Sequence, residues 1–222
     1  LPAEAGAGLG LVAVVTMAIG NLGALGQTDL KRLFAWSGVA HAGTLLLVIA
    51  GAVAAGGTEH QEAVRNAAFS ATLLYVAAYA FSAGGALGLV AWMEADGEEY
   101  RSLSRWQGLG TVRPGVAAGM TLFALSLGGI PATGGFLGKW LAFSTAVRAE
   151  LVPLAVLGAL TSVVALGYYL RIVVDLWMRP RPEDAAAPSA ERPLAAFAAG
   201  FSAAMVLALG VAPGLLLGRL IG

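Results

Sequence analysis

The sequence contains no cysteine. That excludes disulfides, thiolate-held iron–sulfur clusters and Cys₄ zinc sites within this chain. Histidine occurs only twice, at His41 and His60, too few for a histidine-based metal centre without carboxylate help. Charge is scarce as well. Charged residues make up 12% of the 222 positions, about half the roughly 25% of a soluble domain. Neither sign is in excess, because thirteen basic and thirteen acidic residues cancel. A nucleic-acid-binding surface needs a basic excess, so nucleic acid is not an expected partner. The longest connection between apolar stretches, 94–113, is too short to form a soluble domain that holds a nucleotide or a flavin.

What the sequence has instead is apolar length. Six stretches carry no Asp, Glu, Lys or Arg: 5–28, 33–58, 66–93, 114–138, 151–170 and 193–218. Each has about 20 residues or more, enough to cross a hydrocarbon layer of roughly 30 Å as a helix. In lipid a backbone must satisfy its own hydrogen bonds, and these stretches lack the alternation of barrel strands. The expectation is therefore an all-α polytopic membrane protein with lipid as its surroundings. Its six crossings fall at 8–28, 32–57, 62–93, 114–149, 151–178 and 194–222, with a linker rich in Ala, Pro and acidic residues at 179–193. The first stretch does not read as a signal peptide, since Glu4 stands where a basic segment belongs. The chain opens on Leu1, which predicts a processed chain or a piece of a longer one.

Six crossings place the connections alternately on two sides. Lys31, Arg32, Arg101, Arg105, Arg113, Arg179, Arg181 and Arg192 fall on one, against Arg65, Arg148 and Arg219 on the other. The basic side is expected to be cytoplasmic, with both chain ends facing outward. The many glycines predict closely packed helices.

Function in a membrane protein is sought among polar groups that lipid disfavours. Lys139 is the foremost. Ten residues separate it from Glu150, roughly 15 Å of helix and too deep for easy snorkelling. It follows a run containing Gly129, Pro131, Gly134 and Gly135. Proline and glycine there disfavour a regular helix, and 114–149 is too long for one straight span. The segment reads as one discontinuous crossing, broken near 128–135, of the kind that lines a polar cavity. A buried amine there suits proton exchange. A structural lysine tied to backbone carbonyls at the break is the competing reading. His41 lies nine residues beyond Arg32, about 14 Å deep. It reads equally as a proton relay or as a histidine satisfied by backbone. Lys31 is expected to mark the interface, or to serve proton entry or coupling through an ion pair with Asp29. Arg171 and Asp175, four apart on a helix, are expected to pair. Tyr168 and Tyr169 suit an interior or interfacial place. Thr121, Ser126, Thr133, Ser144, Thr161 and Ser162 are expected either to carry water between charged stations or merely to pack helices. Gly138-Lys139 imitates a phosphate loop, but Thr133 and Trp140 break that pattern. Gly6, Gly8 and Gly10 lack dinucleotide-loop spacing.

Three stretches carry a resemblance. They are 20–43, with Gln27-Thr28-Asp29-Leu30-Lys31-Arg32 and Ala40-His41-Ala42-Gly43; 125–139, ending in Lys139; and 161–171, with Tyr168-Tyr169-Leu170-Arg171. The chain resembles the antiporter-like membrane subunits of respiratory complex I, the proton-pumping NADH:quinone oxidoreductase, and most closely its subunit N branch. The resemblance covers nearly the whole chain and is weakest in the loops and after Arg179. It implies fourteen crossings arranged as two inverted five-helix repeats. Residues 1–178 would be the second repeat and 194–222 a terminal helix. It implies proton translocation through Lys139, with His41 as relay, and no cofactor in this chain. Flavin, iron–sulfur clusters and quinone would lie in other subunits of a bacterial inner-membrane complex. The partners would be its other membrane subunits, and protons the only small substrate. Ser37, Gly38 and Thr44 depart from the common pattern around the histidine. A subunit of a cation/proton antiporter or of a membrane-bound hydrogenase shares the same features. A structural scaffold locked by Lys139 and His41 is a third reading.

Overall fold

A computed structural model describes residues 2–94, 100–183 and 193–214. Among these, every regular element is helical: α1 (Pro2–Leu25), α2 (Leu30–Ala54), α3 (Gln61–Glu94), α4 (Leu109–Val112), α5 (Pro114–Gly128), α6 (Gly134–Arg148), α7 (Val152–Met178) and α8 (Pro193–Val211), with a 3₁₀ turn at Leu103–Trp106. Five of them, α1, α2, α3, α7 and α8, are long and apolar enough to cross a membrane. The protein is thus an all-α, polytopic membrane protein. Parts of the expected linker (184–192) and of the last crossing (215–222) lie outside the described residues.

The helix ends follow local chemistry. Asp29 caps α2 by accepting a hydrogen bond from the Arg32 N–H at 3.0 Å. Pro114 opens α5, where its missing N–H costs nothing. The end of α5 is a Schellman turn. Gly129 takes φ +85°, its N–H bonds the carbonyls of Leu125 and Ser126, and the Ile130 N–H bonds Leu125 at 3.0 Å. The positive φ is one that glycine adopts without strain. Pro131 follows, Ala132 also holds a positive φ of 68°, and extended Thr133 starts α6. The two 15-residue helices α5 and α6 are therefore separated by five residues. Gly135 lies directly under the Ser126 carbonyl, where a Cβ atom would overlap it.

The connections expected on the basic side do meet at one end of the bundle. The Leu30 N–H bonds Arg101 at 2.7 Å and the Leu103 N–H bonds Thr28 at 2.8 Å. The Gly108 N–H reaches the Asp175 carbonyl at 3.0 Å. Trp106 is fully buried beneath this seal, its indole N–H donating to the Tyr100 carbonyl. The largest apolar cluster lies behind it, built on Leu30, Phe34, Leu89, Trp106, Phe123 and Ile172. A second cluster, with Leu47, Ala50, Ala146 and Ala155, fills the opposite end. Along α2 the two are separated by one polar layer, which holds His41.

Candidate functional site

His41 and Lys139 are each only 8% exposed. Their elements bring them together: α2 carries His41, and α6 carries Lys139 a turn and a half beyond the break. Lys139 Nζ donates to the Gly128 carbonyl at 3.1 Å. That carbonyl is one of those left over at the C-terminal end of α5, where the helix dipole favours a cation. The structural tie to backbone is therefore present. A cavity is present as well. His41 and Lys139 share a pocket of about 10 Å³ with Asn21, Thr44, Ser162 and Tyr168, close to the smallest space that holds one water. A second cavity of the same size joins His41 to Tyr79, Ser82 and Ser126. A cleft of about 190 Å³ between α6 and α7 reaches Lys139 from outside the bundle.

Tyrosines fix the imidazole. His41 Nδ1 and the Tyr75 hydroxyl lie 2.7 Å apart, and Nε2 and the Tyr169 hydroxyl 3.4 Å apart. Tyr169 also bonds Ser37. Tyr79 stacks obliquely on the imidazole, with ring centroids 4.8 Å apart. Beyond the second cavity, Ser82 donates to Ser126 at 2.8 Å, and Ser126 Oγ accepts from the Gly135 N–H at 3.3 Å. Asn21 ties α1 to α7, donating to the Thr161 carbonyl and accepting from Tyr168. None of Asn21, Tyr75, Tyr79 and Ser82 was expected from sequence. A buried amide in a charge-free stretch, and tyrosines four apart at 75 and 79, were the available signals.

The hydroxyl-bearing residues divide. Ser126 and Ser162 line the cavities, whereas Thr133 and Ser144 spend their hydroxyls on nearby carbonyls. Thr121 accepts from the Trp177 indole, and Thr161 bonds the Gly158 carbonyl.

Two expected pairings are corrected. Lys31 does not pair with Asp29. Asp29 is committed to capping α2, and Lys31 pairs instead with Glu94 at the end of α3. Glu94 also lies 3.5 Å from Arg101. Arg171 does not pair with Asp175. It reaches across to α1 and donates to the carbonyls of Leu25 and Gln27, which the end of that helix leaves unpaired. Asp175 pairs with Arg179 at 2.7 Å and accepts weakly from Gln107. Acid preceding base by four residues is the more favourable order on a helix.

A bundle of membrane-length helices, with a helix break and a buried amine in a polar layer, defines a polytopic membrane protein with an internal ionisable centre. Residues 4–165 match the family described as NADH:quinone oxidoreductase/Mrp antiporter, TM, and the chain belongs to that family. It is 40% identical over 202 residues to NADH-quinone oxidoreductase subunit N 1 of Solibacter usitatus, covering 91% of this chain and 39% of that protein. It is also 40% identical over 230 residues to NADH-quinone oxidoreductase subunit N of Myxococcus xanthus, covering 95% and 44%. Among solved structures, a chain of respiratory complex I from Thermus thermophilus with bound Aureothin superposes with a TM-score of 0.78 at 31% identity, covering 95% of this chain and 44% of that one. A chain of the Mrp complex from Dietzia sp. superposes at 0.79 with 22% identity, covering 94% and 45%, which is a likeness of fold alone. The chain spans about two fifths of the length of the curated relatives named here.

Proposed function

We propose that this chain is part of a proton-translocating membrane subunit of NADH:quinone oxidoreductase, supplying one proton-transfer unit of it. The observation that carries this reading is the cavity shared by Lys139 and His41 beside the break between α5 and α6. Its kinship with the subunit N proteins supports the same assignment.

The mechanism follows from the layer. A protonated Lys139 rests against the free carbonyl end of α5, which stabilises its charge. One water in the shared cavity carries its proton to or from His41. Tyr75 holds Nδ1, which fixes the ring so that the other nitrogen serves exchange. The second cavity continues the path from His41 to Ser82 and Ser126. A second proton on the Lys139–His41 pair meets the repulsion of the first, so occupancy of one site disfavours occupancy of the other. The interaction between buried charges couples proton release here to events in neighbouring subunits. Lys31, paired with Glu94, serves at the basic end as proton entry or as the link from α2 to α3.

In this reading α5 and α6 form a single discontinuous crossing, hinged at Gly129, Pro131, Gly134 and Gly135, and the crossings number six. Residues 1–178 form a five-helix repeat and α8 belongs to the terminal helix. The chain lies in a bacterial inner membrane with its basic connections in the cytoplasm and both ends outside. Electron transfer proceeds elsewhere, with flavin, iron–sulfur clusters and quinone held by partner subunits.

The test is Lys139→Met in the intact complex, reconstituted into vesicles, with assembly checked on a native gel. Protons moved per NADH oxidised are expected to fall. An unchanged ratio overturns the assignment. Proton movement driven by a sodium gradient, without NADH oxidation, assigns the chain to a cation/proton antiporter instead. Lys139→Arg is no substitute, because a guanidinium hardly deprotonates.

A further inference from the structure

A further cleft lies away from this layer. It has a volume of about 630 Å³ and runs between α3, α5 and α8, next to the basic end. That volume falls within the roughly 300–1,000 Å³ typical of small-molecule sites. Its walls are apolar and small: Leu89 on α3, Gly119 and Leu122 on α5, Ala199 and Ala203 on α8. From Gly115 to Leu122 it follows α5 for about 10 Å. Arg113 and Trp92 stand at its mouth. The Arg113 guanidinium lies 5.7 Å over the Trp92 ring and forms no ion pair among the described residues. Beside it, the first turn of α5 presents the N–H groups of Gly115 and Val116, for which no backbone acceptor is found among those residues.

An apolar slot in a membrane-facing wall, closed at its interfacial end by a guanidinium over an aromatic ring, complements one kind of molecule. We propose that this cleft binds an anionic glycerophospholipid, one acyl chain lying between α5 and α8 and the phosphate on Arg113. The guanidinium meets phosphate oxygens in a bidentate fork, and the N–H groups at the start of α5 add partial positive charge. Trp92 fixes the depth of the headgroup, as interfacial tryptophans do. The lipid wedges α8 against the bundle, where α8 itself buries little more than Val206 and Leu209. The inference needs only the membrane-spanning fold and is independent of proton transfer.

The test uses the intact complex in nanodiscs of phosphatidylcholine containing a tenth phosphatidylglycerol with a photoreactive group on one acyl chain. After illumination, labelled peptides are mapped by mass spectrometry. Labelling of α5 and α8 is expected. It should drop about tenfold in Arg113→Gln, the effect of losing one charge-assisted contact. Gly200→Leu, which adds a side chain into open cleft space and leaves Arg113 intact, should abolish it. Labelling of the other subunits serves as the reference in each variant. Equal labelling by photoreactive phosphatidylcholine shows mere annular lipid and overturns the proposal. Labelling indifferent to both variants overturns it too, as does displacement by free inorganic phosphate. A protein segment that fills the cleft and excludes both lipids also overturns it.

Discussion

His41 takes its role from its neighbours. Tyr75 contacts Nδ1 at 2.7 Å and Tyr169 contacts Nε2 at 3.4 Å, and Tyr169 is shared with Ser37. Tyr75→Phe removes the shorter contact and keeps the ring volume. A neutral hydrogen bond contributes about 1 kcal/mol net, too little to unfold the bundle but enough to free the imidazole. Proton translocation per NADH is therefore expected to decline partially in Tyr75→Phe, with assembly on a native gel unchanged. Tyr169→Phe should also leave Ser37 without its buried partner, and so should reduce the amount of assembled complex. If Tyr75→Phe pumps normally, Tyr75 does not orient the relay. Lys31 calls for a different expectation. Its side chain is 38% exposed where it meets Glu94, and such pairs contribute only about 0–1 kcal/mol. A large loss of pumping in Lys31→Met, with normal assembly, would point to proton transfer rather than to helix tethering.

At the scale of the element, the break between α5 and α6 depends on two glycines for different reasons. Gly129 supplies a backbone conformation, and Gly135 supplies room. Gly135→Ala puts a methyl group into the Ser126 carbonyl, and the start of α6 must move away from α5. Overpacking of that kind costs about 1–3 kcal/mol. Assembled complex is expected to fall in Gly135→Ala and to hold in Gly88→Ala, whose added Cβ meets nothing within 4 Å. Equal yields on a quantitative native gel would show that the contact relaxes freely. Much of this element was legible beforehand. Pro131 and its flanking glycines marked the interruption, and five of the six charge-free stretches coincide with the five membrane-length helices. The pairings of Lys31 and Arg171 were not legible, and spacing alone did not choose between Arg171 and Arg179, each four residues from Asp175. Spacing along one helix ranks local partners, but the carbonyls at the end of α1 and the carboxylate of Glu94 reach these residues only through tertiary packing. The tyrosines and Asn21 stayed hidden for another reason: uncharged polar groups leave no mark in a search for charge, yet they complete most of the polar layer.

For the whole molecule, the sequence bias of basic residues and the geometry converge on one end. The connection before α2, residues 100–113 and the end of α7 are joined there by backbone hydrogen bonds. The short turn after α2 and the turn between α6 and α7 lie at the other ends of the same helices. Which compartment each end faces depends on the positive-inside bias, and thiol accessibility measures it directly. The chain has no cysteine of its own, so a single introduced thiol in it reports one position. Ser104 and Glu59 are both exposed and belong to opposite ends. A membrane-impermeant maleimide added to intact cells is expected to modify Glu59→Cys and spare Ser104→Cys, and inverted membrane vesicles should reverse the pattern. The reverse pattern in intact cells would turn the molecule over. Arg113 and the lipid cleft would then face the outer leaflet, and the proton path from Lys139 through His41 to Ser82 would have to be read in the opposite sense.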